Sequence, residues 1–337
     1  MSAQPLPLNN IDMNSLGTKQ CTSIPERLIA DIGGTNARFA LLSPKGVVHQ
    51  QIVLPCADYP DIVSAVKAYL SQIGNPHIEE AAMAIANPIT GDQIKMTNYK
   101  WAFSIVETRD ALGLNTLVFR NDFTALAMSL PRLEASELQQ VGGDATQEKG
   151  SALAVIGPGT GLGVSGLVRA GERWIPLEGE GGHVSVCPAN ERECDILKLC
   201  WEQHDHVSAE RLISGMGLQN LYQAICQLEE GAAESLSPAE ISTRGQGNSD
   251  PYCAEALATF CGLLGSVAGN LVLTLGAFGG VYIGGGIVPR LGDYFTNSPF
   301  RERFEAKGRF RGHLEKVPAY VIHTKHPALV GIGEAFK

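Results

Sequence analysis

Short apolar runs broken by polar, glycine-bearing turns open the chain. Leu28-Ile29-Ala30 and Phe39-Ala40-Leu41-Leu42 predict two strands flanking the turn at 31–38, and Gln51-Ile52-Val53-Leu54 predicts a third. The period then changes. Between Asp61 and Ile73 the apolar positions Ile62, Val63, Val66, Tyr69 and Leu70 predict an amphipathic helix. Residues 81–86 predict a buried strand ending at Asn87-Pro88, and 117–119 predict another. Arg120-Asn121-Asp122 follows at once, leading into a helix over 123–130 that Pro131 stops. Residues 154–168 return to the apolar–glycine–apolar pattern. From Asp195 onward the pattern turns helical, with 210–221 and 255–275 the longest stretches, and the strand at 280–283 ends in Gly284-Gly285-Gly286. Alternation of strands and helices predicts α/β architecture.

The two apolar–glycine–apolar segments carry the first chemical signal. The first reads D-I-G-G-T-N-A-R from Asp31; the second reads A-V-I-G-P-G-T-G-L-G-V from Ala154. Gly34-Thr35 superposes on Gly159-Thr160 with similar strands on each side, which predicts an internal duplication. Gly33 and Gly34 let a ligand approach the main chain. Successive N–H groups, with Thr35 and Asn36 beside them, then face one anion. A carboxylate at Asp31 suits that place when a cation such as Mg²⁺ accompanies the anion. One such turn alone reads as an ordinary hairpin; the second copy favours a pair of phosphate-gripping turns, the layout of the actin-like ATPase and sugar-kinase superfamily.

Composition narrows the partners. A chain of 337 residues accommodates two domains. A net charge of −9 disfavours a broad nucleic-acid surface, so any bound polyanion is small and held locally. Eight scattered cysteines suit reduced thiols and a cytoplasmic setting. No window reads as long and apolar enough to span a bilayer. Residues 1–25 are polar, contain proline and lack an apolar h-region, which predicts a flexible extension. Residues 134–150 are polar and glycine-bearing, which predicts a hinge or crossing point.

Three further places carry candidate chemistry. Asn121-Asp122 falls where a strand ends and a helix begins. Helix capping accounts for both residues; so does a ligand site, because ligands in α/β sheets bind beyond the carboxyl ends of strands. The helix dipole is expected to keep Asp122 ionised and a weak base. Leu177 to His183 reads L-E-G-E-G-G-H, a loop suited to polar contacts, in which Glu180 and His183 offer hydrogen bonds to sugar hydroxyls. A flexible acidic surface loop is the plainer reading. His183, Cys187, Cys194, Cys200, His204 and His206 invite a zinc reading, but the cysteines lie six or seven positions apart without a close pair, and no metal is expected there.

The set D-I-G-G-T-N, N-D-F-T-A, G-x-G-T-G-L-G, G-E-G-G-H, A-E-R-L-I-S-G and G-G-G-I-V-P-R runs in this order from about Leu28 to the C-terminus. This closely resembles the bacterial glucokinase family, ATP-dependent hexokinases of the actin-like superfamily. The resemblance implies two actin-like (ribonuclease H-like) α/β domains around a nucleotide and sugar cleft. A small domain over 26–133 would carry the C-terminal helix, 326–337, packed back on it, with a large domain over 134–325. It implies Asp122 as general base, with Asn121, Glu180, His183 and Glu210 holding glucose hydroxyls. Gly33, Gly34, Thr35, Asn36 and the turn with Gly157, Gly159, Thr160 and Gly161 would face the phosphates of ATP, and Gly284, Gly285 and Gly286 would lie near adenosine. Asp31 would hold Mg²⁺ through water. By its place in the first turn of a predicted helix, Glu210 reads as structural; the resemblance alone assigns it to the sugar. A homodimer without nucleic-acid or membrane partners is also implied.

Other classes fit less well. The register G-x-G-x-x-G of a nicotinamide site is broken at Leu162. No glycine-rich turn ends in Gly-Lys-Ser or Gly-Lys-Thr, which disfavours a Walker-type NTPase. A sugar-sensing transcriptional regulator on the same scaffold needs a DNA-binding module, and some 25 residues before the first strand are too few for a helix-turn-helix.

Overall fold

The computed structural model describes residues 25–144 and 151–336. The N-terminal extension and the end of the expected 134–150 hinge therefore lie outside the described residues.

A five-stranded sheet organises the first lobe. Strands β1 (Arg27–Ile32), β2 (Asn36–Leu42) and β3 (Val48–Pro55) form an antiparallel meander. Helix α1 (Ile62–Gln72) follows, its first turn held by the Asp61 carboxylate accepting from Ser64 N–H. Strand β4 (Glu80–Ile85) then runs parallel to β1. A small hairpin of β5 (Gln93–Lys95) and β6 (Ala102–Ser104) leads to α2 (Ile105–Leu112), which ends at left-handed Gly113. Strand β7 (Thr116–Asn121) is parallel to β4, and α3 (Asp122–Ser129) starts on its last residue. The order is β3-β2-β1-β4-β7.

The second lobe repeats this plan. Strand β8 (Leu138–Gln140) comes first, within the segment expected to be a hinge. Strands β9 (Leu153–Pro158), β10 (Leu162–Ala170) and β11 (Arg173–Leu177) make the second meander. Helices α4 (Glu191–Gln203), α5 (Gly215–Leu228), α6 (Pro238–Gln246) and α7 (Pro251–Leu275) follow. Strand β12 (Val281–Ile283) pairs parallel to β9. Short helices α8 (Asp293–Thr296), α9 (Phe300–Glu305) and α10 (Arg311–Leu314) lead to β13 (Ala319–Ile322), parallel to β12. The order β11-β10-β9-β12-β13-β8 matches the first sheet strand for strand, with β8 added antiparallel at the edge. The predicted duplication is thus present in the topology. The final helix, α11 (Pro327–Ile332), leaves the second sheet and packs beside α3 on the first.

Two expectations need correcting. The expected helix over 210–221 is two pieces. Ala209–Arg211 is a single 3-10 turn; the chain then extends at Ser214 (φ −153°), whose hydroxyl caps α5 by accepting from Gly217 N–H. Gly215 N–H, donating to Gly159 O at 2.8 Å, ties that break to the second glycine turn. The 25-residue α7 does have the length and composition of a membrane span, contrary to the sequence expectation. Cys253, Leu257, Phe260, Leu264, Ala268 and Val272 are fully buried in the second-lobe core, so packing accounts for its apolar character.

Helix α3 belongs to both lobes by its contacts. Ala125 packs with Leu329 and Ile332 of α11 and with Ile29, Ala82 and Ala84 of the first sheet. Leu126 and Leu130 pack with Leu153, Val155, Leu167 and Tyr320 of the second. The N-terminus of this shared helix is where Asp122 stands.

Candidate active site

Asp122, Asp31 and Glu180 come together although they lie on three separate segments. Each of the other two carboxylates adds repulsion that raises the pKa of Asp122. Burial is the larger cause, and together they push the group up to about 6, against hydrogen bonds from Phe123 N–H and its own N–H. The helix dipole alone predicts a weak base here. Desolvation wins: Asp122 is ionised at neutral pH yet holds a proton far better than a surface aspartate.

Asn121 serves as the cap of α3. Its Oδ1 accepts from Phe123 N–H at 2.9 Å and Thr124 N–H at 3.2 Å, and its Nδ2 makes one long bond to Asn87 O at 3.4 Å. Its oxygen is therefore committed to the helix, and only the amide N–H₂ retains capacity for a ligand.

Asp31 is the next-to-last residue of β1, beside the first turn. Burial is the main influence on its carboxyl and raises the pKa; Arg38 and His326 oppose it. Arg38 Nη1 donates to Asp31 Oδ2 at 3.2 Å, and the two are cross-strand partners in the hairpin register. A single desolvated carboxylate next to a phosphate-sized turn fits Mg²⁺, which keeps most of its waters and takes one or two protein oxygens plus substrate phosphates. Gly33 N–H closes the turn on Asn36 O at 3.0 Å, and Thr35 is exposed at its tip. A Cβ on Gly34 would stand 2.7 Å from Asn98 O, so packing against the 97–100 segment explains that glycine without any ligand.

The second turn joins three motifs. A Cβ on Gly157 would lie 2.7 Å from the Gly284 carbonyl carbon and 2.8 Å from the Phe123 ring, and one on Gly163 would overlap that ring outright. Gly157 is buried in β9, and the close packing of Phe123 and of the Gly284–Gly286 turn explains that glycine without any ligand. Gly285 has φ +76° and abuts Pro158 O, a place closed to other residues. Gly159, Thr160 and Gly161 form the accessible tip, and Gly285 and Gly286 are exposed beside it. Glu210 is tied to this same tip: its Oε2 accepts from Leu162 N–H at 2.8 Å. Nothing in the sequence pattern signals that link.

Glu180 precedes and His183 ends the 3-10 turn Gly181–His183, where His183 N–H donates to Glu180 O at 3.0 Å; both residues are exposed. His206 Nε2 meets His183 O at 3.0 Å, fixing the turn to the 208–211 segment that carries Glu210. Across the cleft, Arg120 Nε at the end of β7 lies 3.6 Å from Glu178 Oε1 of this loop. Cys194 and Cys200 lie along α4, and among the described residues no group of three His, Cys, Asp or Glu side chains is placed to share an ion.

Phe123, Arg38 and His326 join the site without having been singled out by sequence. Arg38 had a signal, since hairpin register pairs it with Asp31. Phe123 had only its place beside Asp122, and His326 had none. His326 enters α11 in the left-handed conformation (φ +59°, ψ +50°), within range of the charges of Asp31 and Arg38; burial, then Arg38, lowers its pKa.

Two lobes of one plan, each with a glycine turn, and a desolvated aspartate on the helix they share define a phosphotransferase of the actin-like fold. The chain matches the Glucokinase family over residues 28–337 and belongs to it. It is 53% identical over 314 residues to the glucokinase of Chromobacterium violaceum, covering 92% of this chain and 90% of that protein. A crystal structure of glucokinase from an Antarctic psychrotroph superposes with a TM-score of 0.85 at 35% identity, covering 93% of this chain and 98% of that one. A glucokinase from Streptomyces griseus, solved in complex with glucose and AMPPNP, shares the fold at a TM-score of 0.60 and 19% identity; it covers 92% of this chain and 98% of that one.

Proposed function

We propose that the chain phosphorylates D-glucose, transferring the γ-phosphate of MgATP to the 6-hydroxyl and releasing ADP, with Asp122 as general base. The observation that carries this is the placement of Asp122: a desolvated carboxyl, pushed up to about 6 by burial and by Asp31 and Glu180, at the start of the helix both lobes share, with the next residue, Phe123, packed against Gly157 and Gly163. A base of that strength takes the hydroxyl proton as the bond to phosphorus forms, which suits the loose transition state of phosphoryl transfer. Glu180, His183, the Asn121 amide and Glu210 hold the sugar hydroxyls. Main-chain N–H groups of the 33–36 and 159–161 turns other than those of Gly33 and Gly159, which close the turns, hold the phosphates, and the 284–286 turn lies toward adenosine. Asp31, through water, would hold the magnesium ion that accompanies the nucleotide, and that ion would supply the charge that neutralises the phosphoryl oxygens. Closure of the lobes keeps water from competing as acceptor. On this reading the enzyme feeds glucose 6-phosphate into glycolysis. It works in the cytoplasm as a homodimer, without nucleic-acid or membrane partners; the seven free cysteines among the described residues accord with a reducing compartment.

The test is ADP release from MgATP against a hexose panel, with and without each sugar. Glucose-dependent release that Asp122→Asn abolishes supports the assignment. ATP binding that no sugar converts to turnover rejects it.

A further inference from the structure

Helix α3 begins on the base of the second glycine turn. Gly157 of β9 and Gly163 of β10 are cross-strand partners there. The Phe123 ring lies across this pair: its Cζ stands 2.8 Å from the place a Gly157 Cβ would take, and its Cδ2 edge fills the place of a Gly163 Cβ. Opposite residues of an antiparallel ladder project to one face of the sheet, so a side chain at either position would displace the ring. Three residues along α3, Leu126 Cδ2 stands 2.7 Å from the place of a Cβ on Gly284, at the neighbouring turn. Residues i and i+3 share a helix face, so one face of α3 rests on both turns of the second sheet.

Phe123 holds the carboxyl of Asp122 as well. Its N–H donates to Asp122 Oδ1 at 2.9 Å and to the capping Asn121 Oδ1 at 2.9 Å. One residue thus touches the second turn with its ring and the proposed base with its main chain. The turn has two other supports: Glu210 Oε2 accepts from Leu162 N–H, and Gly215 N–H donates to Gly159 O, each at 2.8 Å. These ties hold the shape of the turn, but neither reaches α3. A rigid ring clamped on main chain of both strands transmits a displacement rather than absorbing it.

We propose that Phe123 is a positioning residue for phosphoryl transfer: its ring, seated on the Gly157–Gly163 pair, sets the distance between the turn that holds the phosphates and the Asp122 carboxyl that its own N–H orients. This rests on the glucose kinase reading above. Misplacing reacting groups by about 1 Å, through a residue that touches neither reactant, can cost about 100-fold in rate. Sugar and nucleotide keep their own contacts meanwhile, so the loss falls on turnover.

The test measures kcat and both KM values in wild type, Phe123→Leu, Phe123→Ala, Gly163→Ala and the Phe123→Ala/Gly163→Ala double variant, with glucose and MgADP affinities by calorimetry. Phe123→Ala should lower kcat about 10–100-fold while both affinities stay within about threefold of wild type; Phe123→Leu, which returns part of the bulk, should recover part of the rate. Gly163→Ala should lower kcat by lifting the ring. In the Phe123→Ala background the same substitution should cost at most about twofold, because its methyl then enters empty space. A cycle in which Gly163→Ala costs as much without the ring as with it overturns the proposal, and so does an affinity loss that matches the loss in kcat. If Phe123→Ala does not fold, Phe123→Leu and Gly163→Ala decide: kcat in both within about twofold of an active wild type overturns the proposal alone. A wild type that phosphorylates no glucose overturns it together with the reading it rests on.

Discussion

At the scale of single residues, the balance at Asp122 is settled by desolvation. Its pKa of about 6 predicts a low-pH limb in kcat/KM with an apparent pKa near 6, absent from a series limited by binding alone; a profile flat to pH 5 would remove Asp122 as the base. The raised pKa also has a stability sign. A carboxyl whose pKa is higher folded than unfolded favours folding while protonated, and that contribution is lost as pH rises through the folded value. Between pH 5 and pH 7 wild type should therefore lose about 1 kcal/mol that Asp122→Asn keeps, since a tenfold change in proton affinity is worth about 1.4 kcal/mol. Paired urea melts at the two pH values measure it, and an equal change in both proteins would refute the burial argument. Glu210 is a different case. Glu210→Gln keeps an acceptor for Leu162 N–H, whereas Glu210→Ala leaves that donor open. The alanine variant should raise KM for ATP as well as for glucose, because the second turn loses its tether. A glucose-only effect would place Glu210 on the sugar side alone.

At the scale of elements, α3 is gripped from two directions, and its grip on α11 is backbone against backbone. A Cβ on Gly331 would overlap Ala125 O, so Gly331→Ala must push α11 away from the helix that begins with Asp122. We expect about 1–3 kcal/mol of destabilisation by overpacking, and a kcat loss with it. Full activity with lowered stability would mean that α3 holds its place without α11. This contact shows where sequence reading stops. Strands β1, β2, β4 and β7, and the Asn121-Asp122 start of α3, were legible because apolar period and turn chemistry are local. The duplication was legible because Gly34-Thr35 and Gly159-Thr160 repeat a short pattern, and the matching sheet orders follow from it. Why Gly157 and Gly163 are glycines was not legible, because the answer is the Phe123 ring, which arrives from another lobe. The break at Ser214 was equally hidden, since Gly159 O, 56 positions earlier, fixes the residue after it. Asp31, Asp122 and Glu180 could each be picked out; their mutual repulsion, which helps set the base strength, exists only once the fold brings them together.

At the scale of the whole molecule, Asp31 and the first glycine turn are carried by the first sheet, while the second glycine turn, the 284–286 turn and the 177–183 loop are carried by the second, so a ligand proposed to touch both couples its binding to closure. The connection across the mouth of the cleft is slight: Arg120 and Glu178 are both well exposed and 3.6 Å apart, a pair worth about 0–1 kcal/mol. Behind the loop lies a cavity of about 290 Å³, lined by Gly179, Gly181, Val184, Val186, Val267 and Leu271, which leaves its backing soft. Glu178, Gly179 and Glu180 are exposed and lightly held before sugar arrives, whereas His206 fixes the turn that follows them. Glucose should therefore shift the population toward closed molecules, and it can do so only by binding that state better than the open one. Two measurements separate coupling from plain binding. Glucose at a hundred times its Kd stabilises against unfolding by about 2.7 kcal/mol whether or not the lobes move. Closure adds a smaller radius of gyration in solution scattering and a higher affinity for MgADP, and linkage requires magnesium nucleotide to raise glucose affinity by the same factor. Glu180→Gln should weaken glucose binding and reduce the scattering change at equal sugar concentration, while leaving MgADP affinity without sugar intact. If Glu180→Gln contracts as wild type does at matched glucose concentration, the loop is not the element through which the sugar draws the lobes together.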